Sequence, residues 1–108
     1  MTAIQLHITP AHTPDGLAFQ YLHIQISTPT GLIEATDLKD VTLPREINWR
    51  QGVVIDGKAP IWLYGYLVHE CHPAAWVGCY DPRLGAVVVA THTPAIATGT
   101  VLDIQTPT

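Results

Sequence analysis

The side chains best suited to chemistry cluster in the second half of the chain, between His69 and His92. His69 and His72, in Leu67-Val68-His69-Glu70-Cys71-His72, are three residues apart and would share one face of a helix. Two imidazoles at that spacing can hold one metal ion, or one can ligate while the other moves protons. The motif is not the metalloprotease pair, which is spaced by four around a glutamate. Cys71 and Cys79 lack the paired spacing of a zinc site and read as structural thiols. Asp81-Pro82-Arg83 is a second feature. Asp and Pro are ordinary turn residues, but an arginine at a turn tip can grip a phosphate with two parallel hydrogen bonds. His92 is a third feature, just past an apolar run. The fourth is Gly57-Lys58-Ala59-Pro60, between an apolar run and a helical segment. Free backbone N–H groups and the positive end of a helix dipole would meet a phosphate or ribose there. That tetrapeptide lacks the full glycine pattern of a dinucleotide or P-loop site, so a plain strand-to-helix turn explains it equally well.

These groups need elements to position them. Ile4, Leu6 and Ile8 alternate with polar residues, and Ala18 to Ile26 alternates again after Thr13-Pro14-Asp15-Gly16. Together they predict an N-terminal hairpin, with His7 and His23 on its solvent-facing alternation. Glu34 to Leu43 is expected to hold a short helix capped by Thr36 and ended before Pro44. Gly52 to Gly57 reads as a buried strand. A helix follows to His72, with Pro60 at its first position and Pro73 stopping it. It is apolar nearly all round, which predicts burial on several sides. Ala75–Tyr80 and Ala86–Thr91 are expected strands joined by the turn Asp81 to Gly85. Val101 to Ile104 is expected as a final strand, with a loose Thr-Pro-Thr tail. The fold class is α/β, a single compact domain over residues 1–108 with a mixed sheet and a Rossmann-like core around residues 52–72.

Chain reversal then sorts the reactive groups. The expected helix rises about 1.5 Å per residue, so its ends lie roughly 18 Å apart. The next strand runs back along it, bringing Asp81 and Arg83 to the Gly57–Pro60 end. The strand after that returns His92 to His69 and His72. One end of the domain receives the glycine turn, Asp81 and Arg83, and the other receives three histidines. Either there are two independent sites, or one site is completed when two molecules stack end to opposite end.

Composition narrows the partners. Of the 108 residues, 47% are hydrophobic and 13% charged. That is too apolar for disorder and poor in charge for a monomer's surface, so some surface is expected to be covered by another subunit. A net charge of −4 with five Lys and Arg argues against sequence-independent binding to DNA or long RNA, but leaves room for a small anion held by directed donors. No apolar run approaches the roughly 20 residues needed to span a bilayer, and the start lacks a signal-peptide pattern. Two cysteines are too few for a disulfide framework. The expectation is a cytoplasmic protein with no membrane partner.

Four stretches taken together carry a family resemblance: Gly52-Val53-Val54-Ile55 through Pro60 to Tyr64, Leu67 through Pro73, Tyr80-Asp81-Pro82-Arg83-Leu84-Gly85, and Ala86 to His92. The chain resembles the CRISPR-associated Csx proteins of type three, small ring nucleases of type III CRISPR systems, with Leu38 to Pro44 fitting more loosely. The resemblance covers about half the chain. It implies a distant relative of CRISPR-associated Rossmann-fold domains, acting as a homodimer that stacks head-to-tail into tetramers or filaments. It also implies manganese-dependent cleavage of cyclic tetra-adenylate, the messenger that activates ancillary nucleases. The family pattern's His, Asp, Arg and His fall on His72, Asp81, Arg83 and His92, with His69 beside them. The fused ATPase-like domain of some members is expected to be absent.

On that resemblance Gly57, Lys58, Ala59, Pro60 and Arg83 bind the ligand. His69, His72 and His92 hold the metal or move protons, and Asp81 either orients Arg83 or completes the metal shell. The competing readings are a non-catalytic receptor that buffers the cyclic ligand, an exoribonuclease on adenosine-rich RNA 3′ ends, and an assembly protein whose histidines are incidental.

Overall fold

In the computed structural model, which describes residues 3–105, the N-terminal alternation folds as expected. Strand β1 is Ile4–His12 and β2 is Ala18–Ile26. They pair antiparallel with His7 opposite His23. The buried run gives β3, Gly52–Asp56, followed by helix α1, Ile61–Glu70. The second hairpin is β4, Trp76–Asp81, with β5, Gly85–Thr91, and Val101–Leu102 adds β6. One six-stranded sheet holds them in the order β1-β2-β3-β4-β5-β6. β2, β3 and β4 are parallel and the remaining neighbours antiparallel, so the sheet is mixed, as expected. The order follows the sequence, without the strand-order reversal of a doubly wound sheet.

Parallel neighbours need crossover connections, and these are almost always right-handed. β2, β3 and β4 advance in one direction, so both crossovers lie on the same face. Leu22, Ile24, Val53, Ile55 and Val77 of that face pack with Leu63 and Leu67 of α1. The connection from β2 to β3 adds Ile33, Leu38, Leu43, Ile47 and Trp49. Among the described residues the other face carries no α-helix. Phe19, Tyr21, Val54, Trp76, Ala86 and Val88 form its core, covered in part by Leu17, Ile96 and Ile104.

Several boundaries differ from the sequence expectation. The 34–43 segment forms a 3₁₀ helix, Ala35–Asp40. Its cap is Glu34 rather than Thr36, because the Asp37 carboxylate reaches back to accept the Glu34 N–H at 2.7 Å. Pro60 caps α1 in an extended conformation instead of occupying its first turn. α1 ends at Glu70, ahead of Pro73. A residue preceding proline avoids helical geometry, and Cys71 already leaves it, with the Ala74 N–H closing a turn on the Cys71 carbonyl at 2.9 Å. Only Leu63 and Leu67 are buried within α1, while Ile61 is 87% exposed. Among the described residues nothing covers the outer side of the helix, so burial on several sides is not realised. The last strand is shorter than expected because Ile104 turns into the core of the helix-free face. The expected loose tail, residues 106–108, lies outside the described residues.

Candidate functional site

The carboxyl ends of β2, β3 and β4 meet at one edge, where open α/β sheets usually bind ligands. Asp56-Gly57-Lys58 crosses that edge as a crest strapped from both faces. Tyr21 Oη donates to the Asp56 carboxylate from the helix-free face. Tyr64 Oη of α1 donates to the Gly57 carbonyl at 2.6 Å from the other. Gly57 has a φ of +150°, and a Cβ there would stand 2.7 Å from Ile24 Cβ and from its carbonyl oxygen. Burial, reinforced by the Asp56 charge, pushes the Tyr64 phenol up to about 12. Burial and the hydrogen bond to Asp56 raise Tyr21 as well, so both phenols remain donors over the physiological range.

On the helix side of the crest, Gly57, Lys58, Ala59, Tyr64, Tyr80 and Asp81 line a hollow of about 560 Å³. The glycine turn and Asp81 therefore meet, as chain reversal predicts. No side chain caps α1. The Leu63 N–H donates to the Pro60 carbonyl at 3.1 Å, so the N–H groups of Ile61 and Trp62 are the ones left for other acceptors. Arg83 stands at the tip of the β4–β5 turn, 88% exposed. The Asp81 carboxylate accepts the Arg83 backbone N–H at 2.7 Å, and Arg83 Nε lies 3.8 Å from the same oxygen. Asp81 thus ties down the turn that presents Arg83.

The opposite pole lies about 17 Å away, the length of β4. The rings of His72 and His92 stack there with centroids 6.0 Å apart and planes at 13°. The backbone places them. The His92 N–H donates to the Ala75 carbonyl at 2.8 Å, and the His72 N–H to the His69 carbonyl at 3.2 Å. His69 is exposed on the last turn of α1. The expected sharing of a helix face by His69 and His72 is lost because α1 stops two residues before His72. Among the described residues, no group of three or more His, Cys, Asp or Glu is gathered for a metal. Manganese favours oxygen ligands, so the stacked imidazole pair does not fit a resident manganese centre within one protomer.

Cys71 is buried and Cys79 partly so. Burial pushes the Cys71 thiol up to about 12 and raises that of Cys79, consistent with inert packing groups.

Sequence reasoning passed over a second hollow, of about 870 Å³, on the other side of the crest. His7, Tyr21, His23, Gln25, Asp56 and Lys58 are among its lining. His7 and His23 are exposed, as the alternation predicts. Strand register adds what alternation cannot: His7 lies opposite His23, and His23 lies beside Asp56. The available signal was the shared parity of Tyr21, His23 and Gln25, which puts all three on one face.

Residues 26–103 match the family described as CRISPR-associated protein (Cas_csx3). An uncharacterized protein of Aquifex aeolicus (strain VF5) is 43% identical over 70 residues, which are 61% of this chain and 63% of that relative. The chain therefore spans a little under two thirds of the length of the curated relative it matches. The family match leaves out β1 and nearly all of β2, with His7, Tyr21, His23 and Gln25.

Proposed function

The chain belongs to the CRISPR-associated Csx3 family, and on that premise we propose that it is a ring nuclease: a phosphodiesterase that binds and cleaves cyclic tetra-adenylate in the cytoplasm and so ends type III CRISPR signalling. The observation that carries this reading is the separation of the turn presenting Arg83 from the stacked His72–His92 pair by about the length of a strand. Neither end is a complete phosphodiesterase site, and together they supply both halves of one.

In this reading the crest receives the ring. Gly57, Lys58 and Ala59 line the cradle, the Ile61 and Trp62 N–H groups behind Pro60 are open to phosphate, and Arg83 holds the phosphate as charge develops on it. A second protomer, stacked head-to-tail, brings His72 and His92 to the same phosphate. One imidazole takes the proton of the attacking oxygen and the other protonates the leaving oxygen as the P–O bond breaks. His69 flanks the pair. Asp81 acts through Arg83, as a positioning residue. The protomer's donor set does not suit manganese, so an ion that assists the reaction would have to be held by oxygens of the substrate. Pairing of unlike ends would stack the expected homodimers into tetramers or filaments. The parallel β2-β3-β4 core with α1 is the part that would relate the chain to CRISPR-associated Rossmann-fold domains.

The test is incubation with cyclic tetra-adenylate and, separately, with linear oligoadenylate, each with and without Mn²⁺, followed by chromatography. The reading expects linear products from the ring, and light scattering from larger particles when the ring is added. Intact ring that nevertheless binds indicates a receptor. Faster trimming of the linear RNA indicates an exonuclease. Either result overturns the proposal.

A further inference from the structure

The hollow on the helix-free face holds more directed polar groups than a bare strand surface needs. The rings of Tyr21 and His23 stack with centroids 6.1 Å apart and planes at 16°. Tyr21 is buried beneath, and His23 is exposed above it. The stack therefore ends on an exposed imidazole, a flat ring on which a heterocycle can stack. Beside it, His7 Nε2 lies 2.7 Å from Gln25 Oε1. With Nε2 protonated, His7 donates to that oxygen and fixes the Gln25 amide, whose nitrogen is turned out as a donor. On the other side stands Asp56. One of its oxygens accepts from Tyr21, and the second is left to accept from a ligand. Lys58 stands at the rim on the crest.

These groups discriminate between ligand classes. A bare anion would want several fixed cations, but here a carboxylate faces the cavity and Lys58 is the one permanently charged donor in the lining. A metal would want three gathered ligands, which are not found among the described residues. A flat ring bearing both an acceptor nitrogen and an amine matches all three sides. It stacks on His23, accepts from Gln25 and donates to Asp56. We infer that this hollow is a nucleobase site that takes adenine, stacked on His23 and read by Gln25 and Asp56, with the attached ribose-phosphate running over the crest at Lys58. The choice of adenine among amine-bearing bases rests on the ring-nuclease reading, while the stacking site itself does not. His7, Tyr21, His23 and Gln25 lie outside the span matched by the family, while Asp56 and Lys58 lie within it.

The experiment uses the mononucleotide, so that it does not depend on cleavage. The protein is titrated with adenosine 5′-monophosphate while the carbon-bound ring protons of His7 and His23 are followed by NMR. Inosine 5′-monophosphate, which replaces the amine with a carbonyl, and ribose 5-phosphate, which has no base, run in parallel. The inference expects the His23 signals to move with the adenine nucleotide, less with the inosine nucleotide, and not with ribose 5-phosphate. His23→Ala should weaken adenine-nucleotide binding about fivefold or more, and His23→Phe, which keeps a stacking face, should restore it. Equal response to ribose 5-phosphate would make this an anion site and overturn the inference. Unchanged binding by His23→Ala would overturn it too. If cyclic tetra-adenylate is cleaved while the mononucleotide leaves His23 unmoved, this inference fails alone. If the mononucleotide binds here and no ring is cleaved, only the nuclease reading fails.

Discussion

The two poles of the protomer differ in how they are held. The crest is over-determined: two tyrosine hydroxyls strap it from opposite faces, Gly57 is wedged against Ile24, and Asp81 fixes the turn that carries Arg83. The imidazole pole depends on two backbone hydrogen bonds and one ring stack, with both rings exposed. Rigid donors suit a ligand that must be gripped in one geometry. Exposed imidazoles without an orienting carboxylate suit a group that is finished by what docks onto it. The proposed function uses this contrast, with binding at one pole and proton transfer at the other.

The largest expected effect breaks the imidazole pole alone. His72→Ala should lower ring cleavage by a factor of about a hundred or more while binding persists, because a positioned proton-transfer group contributes on that scale. Retention of wild-type turnover would end the division of labour. Next, Arg83→Ala should weaken ring binding by about tenfold or more, the scale of a lost charged hydrogen bond. Arg83→Lys should not recover it, since an ammonium cannot make two parallel bonds. Isothermal titration separates these outcomes. At the crest, Gly57→Ala should cost about 2 kcal/mol in denaturant unfolding, from its positive φ and the collision with Ile24. A matching substitution at His92 should cost far less, because that ring is exposed.

The smallest effect is a pH dependence. The Tyr64 phenol is raised from its ordinary 10.0 to about 12 in the folded protein. The folded state therefore favours the neutral form. Its contribution is complete below pH 10, and it drains away as pH rises towards 12. Tyr64→Phe should lower stability by about 1 kcal/mol at pH 8. It should also flatten part, not all, of the alkaline loss, because Tyr21 shifts in the same direction.

Much of the crest was legible in the sequence, because it is made of local chemistry. A buried β3, a glycine turn and a helix start follow one another, and Asp81-Pro82-Arg83 announces its own turn. The hairpin was legible from alternation. The imidazole pole was half legible. Chain reversal brings His92 back to His72, but placing His69 on one face with His72 needs a helix that reaches His72, and α1 ends at Glu70. The second hollow was hidden, since it depends on the register of the hairpin against β3, which follows only after a long crossover, and a one-residue slip would send Tyr21 and His23 to the other face. Periodicity also misjudged α1. An apolar surface tells how much a helix can bury, not whether a second layer exists to bury it.

The central claim is that unlike poles of two protomers make one site, and mixing two defective proteins tests it most directly. His72→Ala keeps an intact crest and Arg83→Ala keeps intact imidazoles. Combined in equal amounts, they should regain ring cleavage to about a quarter of the wild-type rate, the share of heterologous junctions that pair two intact poles. A mixture no more active than its components would contradict the account.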